Sequence, residues 1–537
     1  MNKIYLILFF FLWMFSLRGQ EWKKYPYRPV GSLISFPKDE GIHPIQPEEW
    51  WYTIAHLRGK TSGDLYTIML TYFSKDTLGL DGFRILNFSN ETKNRFFDNT
   101  RPCNFIRIDS TALDIEAQLP THTEYWKTSR DSSGQLIPFE YDIHALTTRG
   151  TIDLHYQVYK RPLILADSGF FYQGIKNYTY YYSLTGIKVT GTISFLGTTE
   201  KVTGEAWIDR QFGSFNPYTG EAYEWLSLRL NTGMDINVWN IFTNDNRLPD
   251  TSTYRLVGVY IDDSTARTLS DFELERTAFR TLPREGNVYA SEFHLVVDSL
   301  GVDIRISTTN NRSEVRRPFY FYEGPVIVQG KVRGKQVKGE GFAELLHQYR
   351  SPVIILDYPE NEWDLRKAIR WHLANPDDGR KEHYDLSIKT ENDSLFTPIA
   401  RGITETFYHL DTSASIPADS LIWLRILGYS IDTSLNDTLI SKRAFPIITG
   451  TSHSLHPDYD VRLFPNPCKD ILYIRHNKGS IPHELTVSVF NETGHLLRKQ
   501  LLPHKMTLEM SGFANGKYFV LIKGEKGLQF HTVIKTD

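Results

Sequence analysis

Asp209, Arg210 and Gln211 are the residues of this 537-residue chain whose types and setting first suggest chemistry. They lie within Lys201 to Phe242, KVTGEAWIDRQFGSFNPYTGEAYEWLSLRLNTGMDINVWNIF, between two aromatic, strand-like runs. A carboxyl set among aromatic rings is disfavoured as an ion, so it can hold a proton near neutral pH and pass it on. Ring faces, in turn, attract a cation. Trp225 to Leu230 alternates, with Trp225, Ser227 and Arg229 on one face and Leu226, Leu228 and Leu230 on the other. Asn231-Thr232-Gly233 reads as a tight hairpin turn and Met234 to Phe242 as the returning strand, with a loop at Pro217 to Gly220 before the hairpin. A polar cluster beside paired strands rich in Trp and Tyr suggests the wall and floor of a pocket in a β-barrel. The plain alternative is ordinary barrel core, with Asp209 tying down a turn.

The elements that must position these residues are strands. Trp51 to Leu57 and Leu65 to Phe73 flank a polar, Gly-containing loop, Arg58 to Asp64. Phe139 to Ile143 and Ile152 to Tyr159 alternate in the same way. Tyr178 to Leu184 and Ile187 to Phe195 meet at Thr185-Gly186, where glycine suggests a bulge or barrel corner. One barrel of this kind needs about eight strands. A second series follows from Ala222 to Gln348, including Tyr254 to Ile261, Glu292 to Asp298, Val302 to Ser307, Pro325 to Val332 and Lys338 to Leu345. Two barrels packed end to side would place Asp209 to Trp225 at their junction, where pockets concentrate. Aromatic residues make up 14% of the chain, which suits strands and large pockets.

Five stretches of this region, in order, carry a resemblance. The run Ala206-Trp207-Ile208-Asp209 and the later Trp225 to Gly233 resemble paired signatures of the AttH / hydroxyneurosporene synthase family, which includes the carotenoid 1,2-hydratases. Glu49-Trp50-Trp51-Tyr52 with His56-Leu57, Tyr180 to Thr185, Tyr322 to Val326 and Gly341 to Leu345 resemble its other conserved strands. The resemblance implies an all-β fold with two consecutive lipocalin-like antiparallel barrels. It implies a hydrophobic small-molecule ligand and, as activity, addition of water to an isoprenoid double bond. That reaction needs no cofactor; it needs an acid to protonate the alkene, stabilisation of the carbocation and a placed water. On this resemblance Asp209 is the first choice of acid, with Glu323 and Glu224 as alternatives. Trp51, Tyr182 and Trp225 become the aromatic walls, and His56 a group that orients water or a structural histidine. Two positions depart from the family pattern: its His and Trp after the Asp are Arg210 and Phe212 here. Arg210 is expected to pair with Asp209 and hold it ionised. Three readings therefore stand: a hydro-lyase acting on an apolar substrate, a non-catalytic carrier of lipid or apolar molecules, and a surface interaction protein.

The rest of the chain concerns delivery. Residues 1–19 read as a cleaved signal peptide, with Lys3 before the apolar run Ile4 to Leu17. Barrels are expected over 20–218 and 219–349, a fibronectin III-like sandwich over 350–450 with Trp371 as core residue, and a linker at 451–460 that proteases would cut. Residues 461–537, with Phe464-Pro465-Asn466-Pro467 and Gly516-Lys517-Tyr518, resemble the C-terminal sorting domain of the type IX secretion system. That resemblance implies a Bacteroidota-type envelope, passage through the periplasm, and secretion or display at the outer surface. The net charge of −3 and the absence of a long basic run argue against nucleic acid as partner. No stretch of the mature chain reaches the roughly 18 apolar residues of a membrane span. Cys103 and Cys468 are expected as two free thiols, and no Cys/His cluster has zinc spacing.

Overall fold

The computed structural model describes residues 21–77, 80–215, 220–357, 363–364, 368–410, 421–430, 435–441, 445–448, 460–478, 485–502, 507–524 and 527–537. The signal segment, residues 217–219 of the predicted loop and all of the predicted linker but Asp460 lie outside the described residues. Among them strands dominate and no α-helix occurs. The chain divides into two compact units, Met1–Arg350 with Pro376–Arg380, and Ser351–Asn375 with Lys381–Asp537.

In the first unit ten antiparallel strands close into a barrel: β1 (Glu48–Gly59), β2 (Leu65–Thr77), β3 (Leu80–Asn90), β4 (Arg95–Ile108), β5 (Asp114–Gln118), β6 (Thr123–Arg130), β7 (Leu136–Thr147), β8 (Gly150–Val158), β9 (Asn177–Phe195) and β10 (Thr198–Gly213). Each pairs with its sequence neighbours; β9 pairs with β8 along Ile187 to Phe195 and with β10 from Thr179 to Phe195, and β10 then pairs with β1. The expected count was about eight. The register of β9 slips between Leu184 and Ile187, at the predicted glycine bulge. Side chains fill the barrel interior, among them Trp51, Tyr72, Trp126, Tyr141, Tyr156 and Tyr182. Trp22, Ile34 and Phe36 of the N-terminal segment join this core. The lumen is therefore packed rather than open, and the pocket lies outside it.

The second series is a curved sheet, not a closed barrel. Its strands are β11 (Ala222–Leu230), β12 (Asp235–Phe242), β13 (Arg255–Asp262), β14 (Thr265–Leu269), β15 (Glu273–Thr281), β16 (Val288–Val297), β17 (Val302–Thr308), β18 (Phe321–Val332) and β19 (Lys335–Leu345), in the order β14-β13-β12-β11-β19-β18-β17-β16-β15. The edge strands β14 and β15 do not pair with each other, so this is a half-barrel. β11 and β12 form the predicted hairpin, with Gly233 at φ 88° in the turn, a backbone region that glycine enters without a Cβ penalty.

The half-barrel packs on the outer face of β1, β2, β3, β9 and β10 through one apolar cluster containing Tyr52, Ile54, Met69, Tyr181, Trp207, Trp225 and Trp239. Strands β1, β9, β10, β11 and β12 are consequently covered on both faces along much of their length, and read as near-continuous apolar runs. Strand β8 keeps one face toward solvent and alternates cleanly.

The second unit holds two small β regions. One core contains Trp371, Tyr384, Leu386, Leu424 and Ile426; the other, within the sorting segment, contains Val461, Cys468, Val487, Val520 and Ile522. Pro376–Arg380 departs from the predicted boundary by folding with the first unit, where the Leu248 N–H donates to the Asp377 carbonyl. Both cysteines are free and buried.

Candidate active site

Between the barrel and the half-barrel lies an open-mouthed cavity, with about 850 Å³ of empty space when the open solvent at its mouth is included. β1, β2, β3, β9 and β10 form one wall, and β11, β12, β18 and β19 the other. Its lining is mostly aromatic: Trp50, Tyr52, Phe73, Phe83, Tyr181, Tyr223, Trp225 and Trp239. Tyr52 meets Trp225 edge to face at 5.6 Å, and Trp239 stands 5.7 Å from Tyr181 and 6.5 Å from Trp225.

Four buried carboxyls belong to the lining: Glu49, which Arg210 holds in an ion pair, and Asp209, Glu323 and Glu344. Ser183 donates to Asp209 Oδ1 at 2.5 Å and the Trp207 indole at 2.8 Å. The Tyr181 hydroxyl also bonds to Asp209 while accepting from Trp225 (3.2 Å) and Asn237 (3.0 Å). These donors favour the ion, but burial outweighs them and pushes the Asp209 carboxyl up to about 7. Glu323 and Glu344 are direct cross-strand partners on β18 and β19. Tyr52 donates to Glu323 at 3.0 Å and Tyr223 donates to Glu344. Burial raises both acids; the Glu344 charge raises Glu323 further, and the Asp209 charge raises Glu344. Two like charges in one dry site cannot both persist, so the pair titrates as a unit that keeps a proton at neutral pH. Among the described lining residues there is no Lys or Arg to neutralise them.

Of the predicted residues, Asp209, Glu323 and Trp225 line the cavity. The others point elsewhere. Arg210 does not pair with Asp209, because successive strand residues face opposite sides of the sheet. Its guanidinium lies inside the barrel, 3.9 Å over the Trp51 ring, and donates to the Glu49 carboxylate and to the carbonyls of Gly41 and Trp50. Trp51, Tyr182 and Phe212 share that interior face: Tyr182 is 4.9 Å from Phe36, and Phe212 stacks on His43 at 3.6 Å. Glu224 is held by Arg276 (3.0 Å) and Tyr349 (2.6 Å), away from the cavity. His56 faces Phe342 at 6.4 Å, beyond the cavity; desolvation and the Arg229 cation lower its pKa to about 3, so the imidazole is neutral. Tyr52, Tyr181, Tyr223, Trp239 and Glu344 were missed. Glu344 stood in a motif already singled out, and the tight turn at Arg333-Gly334 sets it opposite Glu323.

The AttH-like family matches residues 28–349, well over half of the chain. This chain belongs to the AttH-like family. Residues 462–536 match the secretion system C-terminal sorting domain, which points to type IX handling and to secretion or the cell surface. Among the described residues no helix is long and apolar enough to cross a membrane. A relative of this AttH-like chain is kievitone hydratase of Fusarium solani subsp. phaseoli, 22% identical over 320 residues, covering 55% of this chain and 82% of the relative. Two solved structures are similar. An AttH of Nitrosomonas europaea is 20% identical with a TM-score of 0.49, covering 61% of this chain and 100% of that one. Kievitone hydratase of Nectria haematococca is 17% identical with a TM-score of 0.47, covering 60% and 98%.

Proposed function

We propose that this AttH-type protein acts outside the cell as a hydratase, adding water across a carbon–carbon double bond of an apolar, isoprenoid-like substrate. The observation that carries the reading is the Glu323–Glu344 pair: two buried carboxyls set opposite each other in an aromatic cavity, where burial raises both. The protonated member gives its proton to the less substituted alkene carbon. A C–H bond forms, the π bond breaks and the other carbon becomes a cation. The faces of Trp225, Trp239 and Tyr52 stabilise that cation. Water adds to it, and the surplus proton returns to the ionised dyad, directly or by way of the Asp209 carboxylate, which restores the starting state. The relative named for hydrating kievitone supports the reaction type.

The test is single-turnover assay of prenyl-bearing alkenes in isotopically labelled water, with wild type, Glu323→Gln and Glu344→Gln. Loss of a positioned acid lowers the rate by about 10²–10⁴. Labelled oxygen in a tertiary alcohol product, lost in both variants with ligand binding kept, is expected. Tight binding with no turnover by wild type would sink the hydratase reading in favour of a carrier.

A further inference from the structure

Asp209 and the glutamate pair absorb the acid chemistry but leave other polar groups of the cavity wall without a role. Gln211, 1% exposed, lines the cavity two residues along β10 from Asp209. Its amide donates to Gln173 Oε1 at 2.8 Å, and Gln173 is fully buried. This single bond leaves Gln211 Oε1 and Gln173 Nε2 with no partner among the described residues. Trp239 lines the same cavity, and its indole N–H is likewise without a partner among them. Gln211 is the cross-strand partner of Tyr181, and Trp239 stands 5.7 Å from that ring, so both flank one tyrosine. A buried amide or indole with an unmade hydrogen bond forfeits the hydration it had in the unfolded chain and gains nothing in return. Two such atoms belong to residues of the cavity lining, Gln211 and Trp239, and the third to Gln173, bonded to Gln211; they are unfavourable in an empty fold and become favourable when a ligand completes them.

The chemistry of the missing partner follows from the amide pair. As placed, the open atoms are one acceptor and one donor. If both amides were turned over, the bond between them would survive and the open atoms would still be one donor and one acceptor. A hydroxyl both donates and accepts, so it fits either arrangement; a hydrocarbon fits neither, and an ether can only accept. Two residues of strand span about 7 Å, which sets the spacing between this amide and Asp209.

Resting on the hydratase reading for the role of the cavity, we propose that the substrate is a hydroxyl-bearing alkene rather than a pure hydrocarbon, and that Gln211, supported by Gln173, selects it by binding that hydroxyl about 7 Å along β10 from the reacting end. Gln211 is thus a specificity-determining residue, and the substrate is an amphiphile with its polar end on the Gln211–Trp239 side of Tyr181.

The experiment measures binding, so it does not depend on turnover. Full-length protein is titrated with citronellol, its methyl ether and its deoxy hydrocarbon, followed by quenching of the cavity tryptophans. In wild type the methyl ether is expected to bind at least ten-fold more weakly than the alcohol, because it cannot donate to the open acceptor. Gln211→Met, close in volume, should weaken citronellol at least ten-fold and leave the hydrocarbon unchanged or tighter; Gln173→Met should act in the same direction. Equal affinities of wild type for alcohol and ether would overturn the inference, even if both were hydrated. Equal changes for alcohol and hydrocarbon in both variants would also overturn it. Discrimination without hydration of either ligand would uphold it while removing the hydratase reading. The wild-type comparison stands even if a variant fails to fold.

Discussion

Asp209→Asn offers a quantitative test of the buried-acid site. In the folded chain the Asp209 carboxyl is moved by burial from 3.8 to about 7. Because its folded pKa is raised, the native state binds more protons than the unfolded chain between those values, and stability falls as pH rises through that window. Below about pH 4 both states hold the proton and the residue imposes no ionisation penalty. Above about pH 7 both are ionised and the full penalty is present. A difference of about 3 units at 1.36 kcal/mol per unit sets that penalty at about 4 kcal/mol. Asparagine cannot ionise, yet its Oδ1 can still accept from Ser183 and Trp207. The variant should therefore gain stability relative to wild type as pH rises from about 4 to about 7, by up to about 4 kcal/mol, and hold that gain above it. Any misfit of the added N–H₂ shifts the whole difference by a constant and leaves its pH slope intact. Urea unfolding followed by tryptophan fluorescence at a series of pH values reads the difference directly. Parallel stability profiles for wild type and Asp209→Asn would refute the raised carboxyl, and with it the dry, uncompensated character assigned to the cavity.

Other outcomes follow from the same geometry. Arg210→Met strips the buried Glu49 of its cation and several carbonyls of their donor, and should cost about 3–5 kcal/mol in urea unfolding while leaving the Asp209 pH profile unmoved; a displaced profile would restore the direct pairing. Hydration should decline on the alkaline side of neutrality, as the Glu323–Glu344 pair loses the proton that burial and their like charges hold on it, and Glu224→Gln, outside the cavity, should leave the profile of that decline in place. In a host with type IX secretion the mature protein should reach the surface or medium without residues 461–537, read by mass spectrometry of the secreted chain; periplasmic retention of the full chain would count against that route.

The strands of residues 45–350 were legible because their patterns are local. Trp50 to Leu57, Tyr180 to Leu184 and Trp225 to Leu230 each carry the aromatic and β-branched residues that a pleated, buried surface takes, and the turns at Gly233 and the bulge after Leu184 follow from local backbone needs. Closure was less legible. Whether β14 and β15 meet is decided by pairing far apart in sequence, so the second series reads as a barrel although its edges stay open.

The faces of those strands were the part that pattern could not give, and the errors in the site share this one cause. Where a strand has solvent on one side, alternation announces which residues are buried. Strands β1, β9 and β10 lie between a packed barrel interior and the half-barrel, so both faces are apolar and the signal is lost. In the observed register Tyr52 and Ser183 stand beside Asp209 on the cavity side, whereas Trp51 and Tyr182 stand beside Arg210 on the interior side. A choice displaced by one residue thus moved a whole set of candidates to the wrong wall together. The adjacent charges of Asp209 and Arg210 looked like a pair for the same reason, although a strand directs them apart. Register, not residue type, separates the two sets. It is recoverable where a tight turn anchors it: counting back from Arg333-Gly334 sets Glu323 directly opposite Glu344 and would have produced the acid pair from the sequence. No such turn joins β1 to β10, whose pairing closes the barrel between residues some 150 positions apart, and there only the folded chain decides which face Asp209 shares.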